Sequence, residues 1–419
     1  MLIRVEDSYN LSLSFTYNTA GRIATITDNA GTVIRYGYDS NNNLTTVTYP
    51  DETPAISTDN PKKTYVYNES VNTAGVNQIH ALTGIIDENN VRYATYKYNT
   101  QGKAISTEHA GSVNKFSLAY NNDGSTTITD PLGSVRSNFA KAILNVVKST
   151  GQTQPAGIGC GPSARNIAYD ANGNITRLTD FNGNTTCYAY DTTRNLETVR
   201  VEGLAAGSAC LTNLASYLPA TGTSERKIST EWHPTWRLRT RVAEPKRITA
   251  WDYGETLDEC GAIGVVCSRS DYASTDETGA QGLTAPTNRT RQWRYQYNPR
   301  GQLLVSDGPR DNASDQNDQT AYAYYADDAT EVNNRKRLYT VTDSQGHVTT
   351  YTHYDANGRP LESIAANGVV TAYTYTPRGQ LKTVSHAGLA TQMDYYANGL
   401  LKQVTTPTVA GWVFGIISR

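Results

Sequence analysis

The sequence predicts an all-β chain of repeated antiparallel hairpins in one long, curved and twisted sheet. Three observations predict it. A tyrosine returns at a spacing of 21 residues in widely separated places: Tyr17 to Tyr38, Tyr169 to Tyr190, Tyr354 to Tyr375 and Tyr375 to Tyr396, with 22 from Tyr98 to Tyr120. Each tyrosine is followed by turn chemistry, in most cases ending in glycine. Between turns the residues are rich in Thr, Val, Ile and Tyr at a period of two, while no stretch outside the irregular regions carries an apolar stripe at the helical period.

The first turn of a unit follows the tyrosine. Glycine stands four residues on in Tyr17 with Gly21, Tyr98 with Gly102, Tyr120 with Gly124, Tyr169 with Gly173, Tyr297 with Gly301, Tyr354 with Gly358 and Tyr375 with Gly379; Tyr396 is one residue closer to Gly399. In TYTPRGQL, Tyr373 and Tyr375 project from one face of a strand, Pro377 presets φ in the turn, and Gly379 supplies the left-handed residue that closes it. Elsewhere Asp or Asn opens the turn, where its side chain hydrogen-bonds the backbone two residues on.

A second turn completes many units. ITDNAG (Ile26 to Gly31), ITDPLG (Ile128 to Gly133), LTDFNG (Leu178 to Gly183) and VTDSQG (Val341 to Gly346) each place Asp three residues before Gly after a short β-branched run. Two strands of about six residues and two turns of about four account for one unit. A parallel β-helix is the alternative geometry, and hairpin chemistry at both turns argues for the antiparallel form. One hairpin is marginal in water, and cross-strand pairs contribute about 0.2–1 kcal/mol each, so stability is a property of the array.

The pattern divides the chain into repeats over residues 1–135, an irregular connection over 136–165, repeats over 166–201, degenerate repeats with Trp- and Cys-rich loops over 202–290, repeats over 291–404, and an apolar tail over 405–419. Helix is expected at most in 136–165 and 202–290. Gly157, Gly159 and Gly161 alternate, but no strand-then-helix unit surrounds them, so the segment reads as a connection and not a dinucleotide site.

Composition narrows the function. The chain holds 29 tyrosines against 5 phenylalanines and 5 tryptophans, so most aromatic positions keep a hydroxyl that seeks water or a partner. A net charge of −2 offers no basic surface to nucleic acid, the opening MLIRVEDSYN lacks the apolar core of a signal peptide, and the longest apolar run, VAGWVFGII from Val409 to Ile417, is too short to span a bilayer. The five cysteines, Cys160, Cys187, Cys210, Cys260 and Cys267, lack zinc-type spacing. Cys260 and Cys267 could pair in an oxidising compartment; buried free thiols are the preferred reading.

No catalytic residue, cofactor site or metal site is read from the sequence. None of the six histidines is spaced as HExxH, and GxSxG and CxxC are absent. Asp28, Asp39, Asp130, Asp170, Asp180, Asp191, Asp343 and Asp355 follow the hairpin period as turn residues. The weak binding candidates are Trp232 and Trp236, which with nearby arginines could stack a sugar, making carbohydrate a possible partner.

The stretches YDANGNITRLTDFNGNTTCYAYD (Tyr169 to Asp191) and YDANGRPLESIAANGVVTAYTYTPRGQL (from Tyr354) resemble the YD repeats of bacterial Rhs proteins, shared with insecticidal toxin-complex C subunits and teneurin shells. The resemblance weakens between 202 and 290. It implies a spiral sheet forming a hollow, non-enzymatic cocoon around a C-terminal toxin domain, a secreted or cell-envelope location, and partners among toxin-delivery machinery such as type VI secretion. A surface adhesin that binds carbohydrate is the alternative. The chain departs from the full pattern at both ends, and Asp130-Pro131-Leu132-Gly133 echoes a self-cleavage motif while filling an ordinary turn slot. The expectation is therefore a truncated wall: a partial, open cocoon that encloses no second domain, has no hydrolase activity, and associates through its ends and the exposed tail TTPTVAGWVFGIISR.

Overall fold

The computed structural model describes residues 1–53, 56, 58–157, 161–310 and 318–407. They form an almost entirely antiparallel β structure; the one α-helix among them is the single turn Leu257–Cys260. The chain divides into two compact units, one of Met1–Lys115 with the residues from Thr320 on, the other Phe116–Gln319.

The first unit holds two antiparallel ladders. One runs from Arg4–Glu6 through Ser12–Tyr17, Ile23–Thr27, Val33–Tyr38, Leu44–Thr48, Lys62–Tyr67, Leu82–Ile86 and Arg92–Tyr98 to Ala104–His109, each strand paired with the next. The other runs from Gln319–Tyr324 through Leu338–Thr342, Val348–Tyr354, Pro360–Ile364, Val370–Tyr375, Leu381–His386 and Leu389–Tyr395 to Leu401–Thr405. Pairing of sequence neighbours throughout excludes the parallel β-helix. Of the apolar tail, residues 408–419 lie outside the described residues.

The two ladders meet at their turns. Asn29 Nδ2 donates to the Ala356 carbonyl at 2.7 Å and Asn357 Nδ2 to the Asp28 carboxylate at 2.8 Å. Arg378 lies over the Tyr49 ring at 4.2 Å and reaches Glu88 at 3.6 Å, where Lys63 also approaches at 3.6 Å. The Glu88 side chain is 1% exposed, so the two cations supply the charge its burial demands. Residues more than 300 positions apart thus share turn contacts, and the turn aspartates and asparagines serve both their own hairpin and the opposite ladder.

The second unit has the same ladder with longer strands. Where the period lapses, Val135–Ile143 and Val146–Gln154 make a hairpin with a β-bulge. From Thr185–Asp191 the ladder continues through Leu196–Leu204, Arg226–Trp232, Arg239–Glu244, Arg247–Tyr253 and Val266–Ser274 to Thr287–Tyr297. Here the connections fold over one face. Leu214 packs with Cys187, Val199, Val201 and Leu204, and Ala285 with Ala243 and Ile248. These two clusters are the largest apolar cores among the described residues; elsewhere most strand residues are half-buried, as a tyrosine- and threonine-rich sequence requires.

Four cysteines are disulfide-bonded, Cys187 to Cys210 and Cys260 to Cys267. This corrects the free-thiol expectation. The bond between Cys187 and Cys210 spans 23 residues and pins the 205–225 connection onto the strand it covers, a juxtaposition invisible in the spacing. Cys160 lies outside the described residues. Next to the second bridge, Gly261 has φ +95°, and a Cβ there would fall 1.7 Å from the Tyr297 carbonyl oxygen. Gly261→Ala is expected to destabilise the second unit by about 2 kcal/mol or more. A shifted denaturant midpoint is the readout; an unchanged midpoint counts against this packing.

Candidate functional site

The repeat explains itself at the corner where a strand enters its turn. Around Asp180 the carboxylate Oδ1 accepts the backbone N–H groups of Asn182 and Asn184, both at 2.9 Å, while the Gly183 N–H closes the turn on the Asp180 carbonyl at 3.1 Å. Asp39, Asp130, Asp343 and Asp355 accept the same pair of backbone donors. Hydrogen bonding to the ionised form holds Asp39, Asp130 and Asp343 below the usual carboxylate range, the largest contributions coming from the Asn43 side chain, the Arg136 guanidinium and the His347 backbone N–H respectively. Gly21, Gly102, Gly124, Gly173, Gly301, Gly358, Gly379 and Gly399 all take positive φ.

The tyrosine has a second task that periodicity does not reveal. Its hydroxyl reaches back across the ladder and donates to a backbone carbonyl near the start of an earlier strand: Tyr17 to Leu2 at 2.6 Å, Tyr38 to Ile23 at 2.9 Å, Tyr98 to Leu82 at 2.8 Å and Tyr169 to Ser149 at 2.7 Å. The same bond joins Tyr297 to Val266 at 3.1 Å, Tyr354 to Leu338 at 2.6 Å and Tyr375 to Pro360 at 3.0 Å. A register shift immediately before Tyr17, Tyr38, Tyr98, Tyr297 and Tyr375 aims each ring along the sheet. Tyr67 and Tyr253 do likewise, on Leu44 and Arg239. In the last hairpin Tyr395 makes the bond, to Leu381 at 2.7 Å, and Tyr396 begins the turn where other units carry Asp or Asn. Tyr120 pairs across the ladder with Thr126.

A cavity of about 520 Å³ in the second unit lies on the face opposite its apolar clusters. Ile228, Val242 and Thr249 form a buried floor. Alternation along each strand separates the faces: Val242 and Thr249 line the cavity, while their neighbours Ala243 and Ile248 enter the core. The rim carries Arg200, Arg237, Arg239, Arg247 and Arg269 with Glu197 and Glu244, and Tyr190, Trp232 and Trp251 supply rings. Burial, and then Glu197, pushes the Tyr190 hydroxyl up to about 12.

Trp232 and Trp236, joined by the sequence, are separated in space. Trp232 lines the cavity, donates its indole N–H to the Glu197 carbonyl at 2.7 Å, and carries the Arg239 guanidinium 5.7 Å from its ring centroid. Trp236 instead stacks on His233 at 4.2 Å inside its own turn, outside the cavity lining. Across the strands Trp232 faces Arg239, Trp251 faces Arg269, and Arg269 faces Trp293 in register. Only the cross-strand register, with a bulge at Trp232, assembles this alternation of rings and guanidiniums. Among the described residues no group of three or more His, Cys, Asp or Glu side chains is placed to hold a metal, and no helix is long and apolar enough to cross a membrane.

Known proteins share these features at the level of repeat and fold. The RHS Repeat family model matches residues 17–54, 169–206 and 354–391, three segments that each open on a tyrosine making the carbonyl bond just described. No curated protein matches the chain. The crystal structures of TcdB2-TccC3-Cdc42 and of TcdB2-TccC3 without hypervariable C-terminal region each match with a TM-score of 0.60 over 96% of this chain at 12% identity. This chain spans 22% of the length of either. At that identity the likeness is one of fold. Over those three segments the chain carries RHS repeats, and its fold resembles that of the TcdB2-TccC3 complexes.

Proposed function

We propose that the chain is a wall segment of an RHS-type shell that encloses a C-terminal toxin domain and takes part in its delivery. The observation that carries this reading is the way the first unit coheres: two ladders joined turn to turn by side chains more than 300 residues apart. Such lateral joining lets successive rows of hairpins extend a surface without a thick apolar core. The fold shared with TcdB2-TccC3 complexes supports it, and two disulfides suit a destination outside the reducing cytosol.

In this reading the chain is non-catalytic, with Tyr and Asp spent on the backbone, and the delivery machinery, whether type VI or another secretion route, acts on the assembled product. The repeat positions Tyr17, Tyr98, Tyr169, Tyr297, Tyr354 and Tyr375 are structural, and the adhesin alternative has little to stand on, since Trp236 is occupied by His233.

The test is protease protection in the complete gene product. A polypeptide segment C-terminal to the repeats is expected to survive protease while the repeats are folded and to be cut once denaturant opens them. Equal cleavage of that segment with and without the folded repeats would overturn the proposal.

A further inference from the structure

We propose that the cavity of the second unit is a docking site for an extended polypeptide segment bearing carboxylates, a proposal independent of whether the chain encloses a toxin. The charge of the rim points to that partner. Five arginines face two glutamates around the cavity. Two of the guanidiniums are satisfied internally, Arg200 by Glu197 at 3.0 Å and Glu202 at 2.6 Å and Arg247 by Glu244, whereas Arg269 gives one nitrogen to Asp271 at 2.8 Å and its Nε has no hydrogen-bond partner among the described residues. Arg237 and Arg239 have no carboxylate partner among the described residues. Arg237 donates to the carbonyls of Arg194 at 2.6 Å and Asn195 at 3.3 Å, which fixes its stem over the rim, and Arg239 rests on Trp232.

A planar guanidinium held on a ring is preorganised to grip a planar carboxylate through two parallel hydrogen bonds, and it loses little freedom in doing so. The rings add the other half. With its indole N–H already given to the Glu197 carbonyl, Trp232 has no unmet donor to leave buried when a partner covers its face. Tryptophan and arginine around a partly buried floor are the residues that concentrate binding energy at protein interfaces.

The spacing selects an extended peptide. Arg239 and Arg269 stand on strands separated by one other strand, about 10 Å at the usual strand spacing, with Trp251 on the strand between. An extended chain rises about 3.3 Å per residue, so carboxylates about three residues apart reach both arginines. The two glutamates decide against a uniform polyanion. A nucleic acid or sulfated glycan lying along the rim would set phosphates or sulfates against the Arg200–Glu197 and Arg247–Glu244 pairs, whose cations are already matched, whereas a peptide places discrete carboxylates beside the other arginines and neutral residues beside these pairs.

The experiment titrates the complete chain with fluorescent peptides of equal length, one carrying Glu every third residue with intervening aromatic residues, one with Lys replacing each Glu, and with single-stranded DNA and heparin as polyanions. The acidic peptide is expected to bind at least tenfold more tightly than the basic one, with affinity falling as salt rises, and more tightly than either polyanion. Arg239→Gln alone, which leaves backbone hydrogen bonds untouched, should weaken acidic-peptide binding about tenfold with an unchanged melting temperature. Arg239→Glu with Arg237→Glu should shift preference toward the basic peptide. Equal affinity for the two peptides, preference for a polyanion, or acidic-peptide binding unaffected by Arg239→Gln would each overturn the proposal.

Discussion

Raising the pH above about 10 is expected to unfold the chain cooperatively, before its tyrosines have finished ionising. Burial is the first cause of a raised hydroxyl pKa at Tyr36, Tyr65, Tyr67, Tyr98, Tyr297, Tyr324 and Tyr375, and it raises Tyr354 too, while Tyr190 is pushed up to about 12. An unfolded tyrosine titrates near 10. Between that value and the folded one, the native state holds more protons than the unfolded state, so stability falls as pH rises through the window from about 10 to about 12. Stability from these groups is complete below about pH 10. The loss is compounded because Tyr67, Tyr98, Tyr297, Tyr354 and Tyr375 donate their hydroxyls to backbone carbonyls, and a phenolate has no proton to give. Tyrosinate absorbance and far-ultraviolet circular dichroism followed together provide the measurement. Coincident, steep transitions are expected; independent ionisation near 10 with the β signal intact would contradict the role given to these hydroxyls.

Removing the bridge between Cys187 and Cys210 has the next largest expected effect. It closes a loop over a separation of 23 residues, for which chain entropy alone gives about 3 kcal/mol, against about 2 kcal/mol for the separation of 7 between Cys260 and Cys267. Cys187 is fully buried and packs with Val199, Val201 and Leu214, so freeing Cys210 also loosens the cover over that core. Cys187→Ala with Cys210→Ala should lower the melting temperature of the second unit by roughly 10 °C, since each kcal/mol moves a domain of this size by about 2–4 °C. Early proteolysis within residues 205–225 should accompany the change. A variant that melts with the parent, or one less affected than Cys260→Ala with Cys267→Ala, would show that the connection is held by packing alone.

What the sequence determined by itself is the hairpin. A turn is decided by about five consecutive residues, so Asp or Asn at its first place and Gly near its end announce geometry that nothing distant needs to supply, as at Asp180 and Gly183. Repetition at a fixed spacing then determines antiparallel pairing of neighbours, because short connections permit little else. The limit appears at Tyr395 and Tyr396: both letters satisfy the period, and only the ladder register decides which hydroxyl meets the Leu381 carbonyl. Tertiary structure alone decided the partner of Cys187, the separation of Trp232 from Trp236, the alternation of Trp232, Arg239, Trp251, Arg269 and Trp293 across strands, and the joining of Asn29 to Ala356. These contacts depend on bulges and registers accumulated over several strands, or on ladders meeting more than 300 residues apart. A one-residue slip reverses the face to which every following side chain points, so local chemistry specifies each hairpin while the assembled sheet specifies what its faces can hold.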